Sequence, residues 1–195
     1  MDDRIATLES ELAQERQAWQ ALAESSVRLN ALLNLPELLS AIIEAVAPLL
    51  DAETGSLLLL DEATNELTFE VATGAQGERL REMRVPADSG IAGWVLQHGV
   101  VAVVEDVATD PRFYGQIDAS SGFKTRSMLA LPLLIRERPI GVIEIINKRG
   151  AGGFTARDQE LAVAFAAQAA VAIDNARLYR ELADAVVESR LSYRL

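Results

Sequence analysis

The chain has 195 residues, half of them hydrophobic, enough for one domain with a substantial core plus helical extensions. It has no cysteine, which excludes disulfides, thiolate metal sites, cysteine nucleophiles and thioether-linked chromophores. A formal net charge of −11 argues against direct nucleic-acid binding, because phosphate contacts need clustered Lys and Arg.

Residues 2 to about 33 read as one long helix without Gly or Pro. Ile5, Leu8, Leu12, Trp19, Leu22, Leu29 and Leu33 fall on the two core positions of a seven-residue repeat, broken only at Glu15 and Ser26. That pattern reads as a two-chain seam, so a homodimer is expected; a single amphipathic helix lying on its own domain is the alternative. The polar, acidic start does not look like a secretory signal and no apolar run approaches the length of a membrane span. A cytoplasmic protein with no membrane partner is therefore expected.

Asn34, Pro36 and Glu37 signal a second helix start. Leu38, Leu39, Ile42, Ile43, Val46, Leu49 and Leu50 then follow helical spacing. Gly55 to Asp61 and Leu67 to Thr73 read as an antiparallel hairpin, with Leu67, Phe69 and Val71 alternating. Gly74 and Gly77 mark a loop, and Leu80 to Val85 reads as an edge strand blunted by Arg81 and Arg84. Ile91 to His98 is a short helix capped by Asp88 or Ser89 and ended by Gly99, with Gly93 permitting close approach to a sheet. His98, at its end, is placed to meet terminal carbonyls. Val100 to Val104 is a strand.

Asp106 to Ser127 is the longest irregular stretch and the richest in polar and aromatic residues, a pattern that marks functional loops. Asp110 before Pro111 starts a turn. The aspartates Asp106, Asp110 and Asp118 do not fit a calcium-loop spacing. Phe113, Tyr114 and Phe123 can stack on a planar ligand or form the loop's own small core; the residues leave both open. Two apolar strands follow, Met128 to Ile135 and Ile140 to Asn147, joined by a turn over Arg136-Glu-Arg-Pro139. Both are apolar on both faces, so this hairpin is expected at the centre of a sheet covered on both sides. Ile143 and Ile145 should face away from Ile140, Val142 and Ile146. Glu144 lies among apolar neighbours and needs a partner, a ligand or a raised pKa. The glycine loop Gly150-Ala-Gly-Gly153 lacks the Lys-Ser/Thr ending of a phosphate-binding loop. From Thr155 the chain reads as helical to its end, Thr155-Ala-Arg-Asp158 resembling a capping box and Leu161, Phe165, Ala169 and Ala172 facing inward.

Element order and local sequence together resemble a GAF domain. Asp88-Ser-Gly-Ile-Ala-Gly93 resembles that family's short-helix motif, and Asp106-Val-Ala-Thr-Asp-Pro-Arg-Phe113 its aspartate-containing loop. Arg126-Ser-Met-Leu-Ala-Leu-Pro132 and Ile140-Gly-Val-Ile-Glu-Ile-Ile-Asn-Lys148 resemble its central strands, and Asn175-Ala-Arg-Leu-Tyr179 the end of its last helix. The resemblance implies an α+β fold, a GAF-like antiparallel sheet of about six strands. Terminal helices would pack on one face, with a short helix plus loops over a small-molecule pocket on the other. It divides the chain into a coiled-coil-like helix (1–33), a GAF-like domain (34–180) and a C-terminal helical extension (181–195). Ligand-binding candidates are Asp106, Asp110, Phe113, Tyr114, Phe123, Lys124, Ser127 and Glu144, with Lys148 and Asp158 as a structural closure of the pocket through an ion pair that closes the glycine loop.

Family members bind cyclic nucleotides, haem, bilins, iron, amino acids or nothing known, so the ligand and cofactor stay open. The cyclic-nucleotide pattern is matched at Asn147, Lys148, Phe154 and Asp158, but Gln159 stands where it has a Glu. A covalent bilin site and a methionine-sulfoxide reductase both need cysteines. The implied function is a non-enzymatic sensory module in signal transduction, acting on an attached output domain or a protein partner; a ligand-free interaction scaffold is the alternative.

Overall fold

The computed structural model describes residues 35–73, 80–150 and 152–192, with side chains left out at residue 36 and from residue 180 onward. The helix expected over 2–33, the loop at Gly74 and Gly77, and the side chains of the expected extension over 181–195 lie outside the described residues. Strands β1 (Ala52–Asp61), β2 (Glu66–Ala72), β3 (Arg84–Pro86), β4 (Ala102–Val104), β5 (Met128–Ile135) and β6 (Arg138–Lys148) form one sheet. Its order is β3-β2-β1-β6-β5-β4, antiparallel throughout. The helices are α1 (Leu35–Leu49), α2 (Gly90–His98), α3 (Gln116–Ser121) and α4 (Ala156–Ser192).

Two cores lie on opposite faces of the sheet. On one, α1 and α4 pack Leu38, Ile42, Val46, Phe165, Ala169 and Ile173 against Leu57, Leu129, Leu131 and Ile143. The run of alanines in α4 lets its backbone approach the strands. On the other, α2 packs Ile91, Val95 and Leu96 against Leu58, Phe69, Ala130 and Val142. One stretch of α4, Ala156–Tyr179, is long and apolar enough by length and composition to cross a membrane, contrary to the expectation from the sequence; half of its apolar eighteen-residue window is buried inside the fold.

Local departures from the expected pattern have physical causes. The sheet is centred on β1 and β6, so the β5–β6 hairpin supplies one central strand and its neighbour rather than the centre itself. The hairpin turn is only Arg136-Glu137, both in the left-handed region at φ 48° and 66°, and Arg138-Pro139 already belong to β6. Opposite Leu133/Leu134, β6 carries one extra residue: Leu133 pairs with Gly141 and Leu134 with Pro139. This β-bulge turns Ile140 toward the α1–α4 core beside Ile143 and Ile145, not toward Val142. A matching irregularity pairs Leu57 with Val71 and Leu58 with Phe69, which sends Val71 to the helix face while Leu67 and Phe69 face α2. The edge strand is Arg84–Pro86, with Leu80 and Arg81 helical instead of extended. The stretch 106–127 is less irregular than expected, for it holds a 3-10 turn at Val107–Thr109 as well as α3.

Candidate functional site

The face of the sheet under α2 encloses a cavity of about 290 Å³. Its floor is the sheet: Ser56 and Leu58 from β1, Glu144 and Ile146 from β6. One wall is the first turn of α2, and the opposite side is Phe113, Tyr114, α3 and the segment through Thr125. Among the described residues lining it there is no Lys, Arg or His.

Glu144 is buried, 8% exposed, directly opposite Ser56 in the β1–β6 register. The Ser56 hydroxyl donates to its Oε2 at 2.7 Å. Oε1 has no partner among the described residues, and since no buried side-chain oxygen among them is left unpaired, Oε1 is reached from the cavity. Burial raises the Glu144 carboxyl above its ordinary range; the Ser56 hydroxyl opposes that rise and the charge of Asp118 adds to it. Asp118, the second carboxylate on the cavity, is fully engaged: the Thr125 backbone N–H and hydroxyl each donate to it at 2.7 Å. The pair pins α3 to the strand entering β5.

At the wall, Ser89 occupies the N-cap position of α2 but makes no side-chain cap; its hydroxyl turns to Asp88 instead. Gly93 N–H is the first to bond a helix carbonyl, that of Ser89 at 3.0 Å. The amides of Gly90, Ile91 and Ala92 precede it and have no acceptor among the described residues. All three residues line the cavity. Gly90 sits at φ 74°, where a Cβ would also lie 3.2 Å from that of Tyr114, so a glycine lets the loop close on the helix. The close approach expected at Gly93 is to the backbone of Asp88, not to the sheet.

The other residues singled out from sequence divide by backbone duty. Phe113, Tyr114, Phe123 and Glu144 line the cavity. Asp106, Asp110, Lys124 and Ser127 do not. Asp106 caps the 3-10 turn through Ala108 N–H at 3.0 Å. Asp110 takes the Arg112 guanidinium at 2.9 and 2.6 Å, which holds its carboxyl below the usual range, and Arg112 in turn lies 4.4 Å from the Trp94 ring centre. That clamp fastens the loop to the outer side of α2. Lys124 is exposed and contributes only its carbonyl, to Asn147. Ser127 is buried, its hydroxyl accepting from Lys148 N–H at 3.2 Å. His98 Nδ1 lies 2.8 Å from the Trp94 carbonyl and its ring stacks on Trp94. Lys148 and Asp158 pair at 3.0 Å away from the cavity, so they tie β6 to α4 instead of closing the pocket. Thr155 and Asp158 cap each other's backbone at 2.8 and 3.1 Å.

A helix-backed sheet whose other face holds a cavity beneath a short helix defines an α+β ligand-cavity domain. The chain belongs to the GAF domain family, whose model matches residues 34–173. It is 33% identical over 156 residues to a probable 3',5'-cyclic phosphodiesterase of Caenorhabditis elegans, covering 75% of this chain and 21% of that protein. The chain thus spans about a fifth of that relative's length. Among solved structures it is similar to the GAF domain of a phosphoenolpyruvate-protein phosphotransferase from Coxiella burnetii, with TM-score 0.76, 19% identity, and 84% and 96% of the two chains covered. It is also similar to the free methionine-R-sulfoxide reductase of Neisseria meningitidis in complex with its substrate, with TM-score 0.70, 19% identity, and 83% and 91% covered. Both structural likenesses speak for the fold.

Proposed function

We propose that this domain is a non-enzymatic sensory and regulatory module in signal transduction. It binds a small polar molecule, a cyclic nucleotide first among the candidates, and acts as a cytoplasmic homodimer joined through its terminal helices. The observation that carries this reading is the cavity itself. Its three unpaired amides, at the positive end of α2, suit an anionic group. The Glu144 oxygen on the floor suits a donor, and Phe113, Tyr114 and Phe123 suit a planar body. A cyclic nucleotide has all three, and the C. elegans relative is named for cyclic phosphodiester substrates. At about 290 Å³ the cavity lies near the lower end of ligand pockets, roughly 300–1,000 Å³. No catalytic role is assigned: the chain has no cysteine, and no group of described His, Asp and Glu residues can hold a metal.

The end of β6 supports a route from cavity to helices. The Asn147 carboxamide accepts from Arg126 N–H at 2.7 Å and Ser127 N–H at 3.3 Å, and donates to the Lys124 carbonyl and to Glu53. That fixes the segment whose Thr125 holds Asp118. The next residue, Lys148, donates to the Leu50 carbonyl after α1 and to Asp158 on α4. Occupancy that displaces α3 therefore pulls on the strand end that anchors both helices. Coupling requires the ligand to favour one helix arrangement over the other. For the dimer, the seven-residue repeat before residue 34 is joined by Val163, Val171 and Leu178, which line up exposed along α4.

Calorimetric titration with cyclic GMP and cyclic AMP tests the ligand reading. Saturable binding is expected in the parent chain and its loss in Ile117→Trp, which fills the cavity from α3. Absence of binding by both nucleotides would favour the ligand-free scaffold.

A further inference from the structure

Among the described residues, few titratable or charged groups stand near Glu144. From β1 comes the Ser56 hydroxyl, already spent on Oε2; from β5, Ala130 stands opposite with nothing to titrate. From α3 comes Asp118, whose two oxygens both accept from Thr125. The α2 wall offers the Ser89 hydroxyl, turned to Asp88, and Gly90, Ile91 and Ala92, whose side chains have nothing to titrate. Tyr114 lines the cavity, but its hydroxyl is turned to Gln116 at 2.8 Å. No described cation lines the space. One carboxylate oxygen therefore stands open on the floor of a largely apolar chamber, with a second carboxylate near it and no cation among the described lining residues to balance either.

We propose that Glu144 is the specificity-determining residue of this cavity: it selects a ligand that turns an N–H donor or a cation toward the floor, and rejects one that turns an anion there. The inference rests on the reading of the cavity as a ligand site. The chemistry follows from what one oxygen can do. Ionised, Oε1 only accepts, so an N–H or ammonium group satisfies it, the more strongly if charged. Protonated, it can donate to a carbonyl. A carboxylate or phosphate turned toward the floor would meet two carboxylates in a low-dielectric chamber, with no cation among the described lining residues to screen it. Because burial raises the Glu144 carboxyl, binding of a donor to its ionised oxygen is proton-linked, and the affinity of such a donor rises with pH. A nucleotide seated with its phosphate on α2 would then present a base N–H to Glu144.

Three probes of one shape separate these cases: benzamidine, a cation with N–H donors; benzamide, neutral with a donor and an acceptor; and benzoate, an anion. Each is titrated by NMR into the parent chain and into Glu144→Gln, which still accepts from Ser56 but carries no charge. In the parent, benzamidine is expected to bind more tightly than benzamide, while benzoate, whose carboxylate can seat only on the α2 amides, gains nothing from Glu144. In Glu144→Gln, benzamidine should weaken at least about tenfold, the order of one charge-assisted hydrogen bond, while benzamide changes little. In the parent chain alone, benzamidine should bind more tightly at about pH 8 than at about pH 5, with benzamide nearly constant. A benzamidine affinity indifferent to Glu144→Gln and to pH, a benzoate affinity weakened by Glu144→Gln, or no binding by any probe would each overturn the proposal. The two readings fail separately. Glu144-dependent benzamidine binding without nucleotide binding removes only the cyclic nucleotide. Nucleotide binding with an unselective probe series removes only the role of Glu144.

Discussion

Glu144 is held on the native floor at a cost that depends on pH. The unfolded chain ionises this group near 4.5, whereas burial raises its value in the folded chain. Between those two values the folded state holds a proton that the unfolded state has released. Stability therefore falls as pH climbs through that window and stays lower above it. Glu144→Gln removes the titration. The melting temperature of Glu144→Gln minus that of the parent is expected to grow as pH rises from about 4.5 and to shrink below it. A difference that moves the other way in thermal scans would contradict the buried, raised carboxyl.

Glu144 was legible because a charge inside an apolar strand needs an explanation. Its partner Ser56 was not, for a serine at the start of a leucine run carries no sequence signal of what stands opposite. The aspartates Asp106 and Asp110 were legible as a polar loop. Their spacing to Ala108 and Arg112 set them capping their own turns rather than facing a ligand.

At the scale of elements, the order of strands and helices could be read from periodicity, but the faces could not be read throughout. Strict alternation fails wherever a bulge adds a residue, and neither the one at Ile140 nor the one between Val71 and Phe69 leaves a mark in composition. Gly141 is the residue that shows the constraint most sharply. A Cβ there would stand 2.3 Å from the Leu58 carbonyl oxygen and 2.9 Å from the Leu59 side chain. Gly141→Ala is expected to destabilise the domain by about 1–3 kcal/mol or somewhat more, since backbone must move to admit it. Urea unfolding would measure this, and an unchanged midpoint would mean that β1 and β6 do not approach so closely. The short helix α3 was hidden for another reason: it is a six-residue turn set by Asp118 and Thr125 across seven positions, too short for hydrophobic periodicity to appear.

In the molecule as a whole, the consecutive residues Asn147 and Lys148 link the segment beside the cavity to the helices on the other face of the sheet. In the proposed dimer, the seven-residue repeat over Ile5 to Leu33 is the contact between two copies. The measurement that tests this most directly is native mass spectrometry of the purified chain, with and without added cyclic GMP or cyclic AMP. The account predicts a dimer that gains one nucleotide mass per chain, or that already carries a small molecule, and a monomer in Leu22→Asp that still binds. A parent chain that stays monomeric would contradict signalling through paired helices, and a dimer that never carries an adduct would contradict the cavity as a sensor.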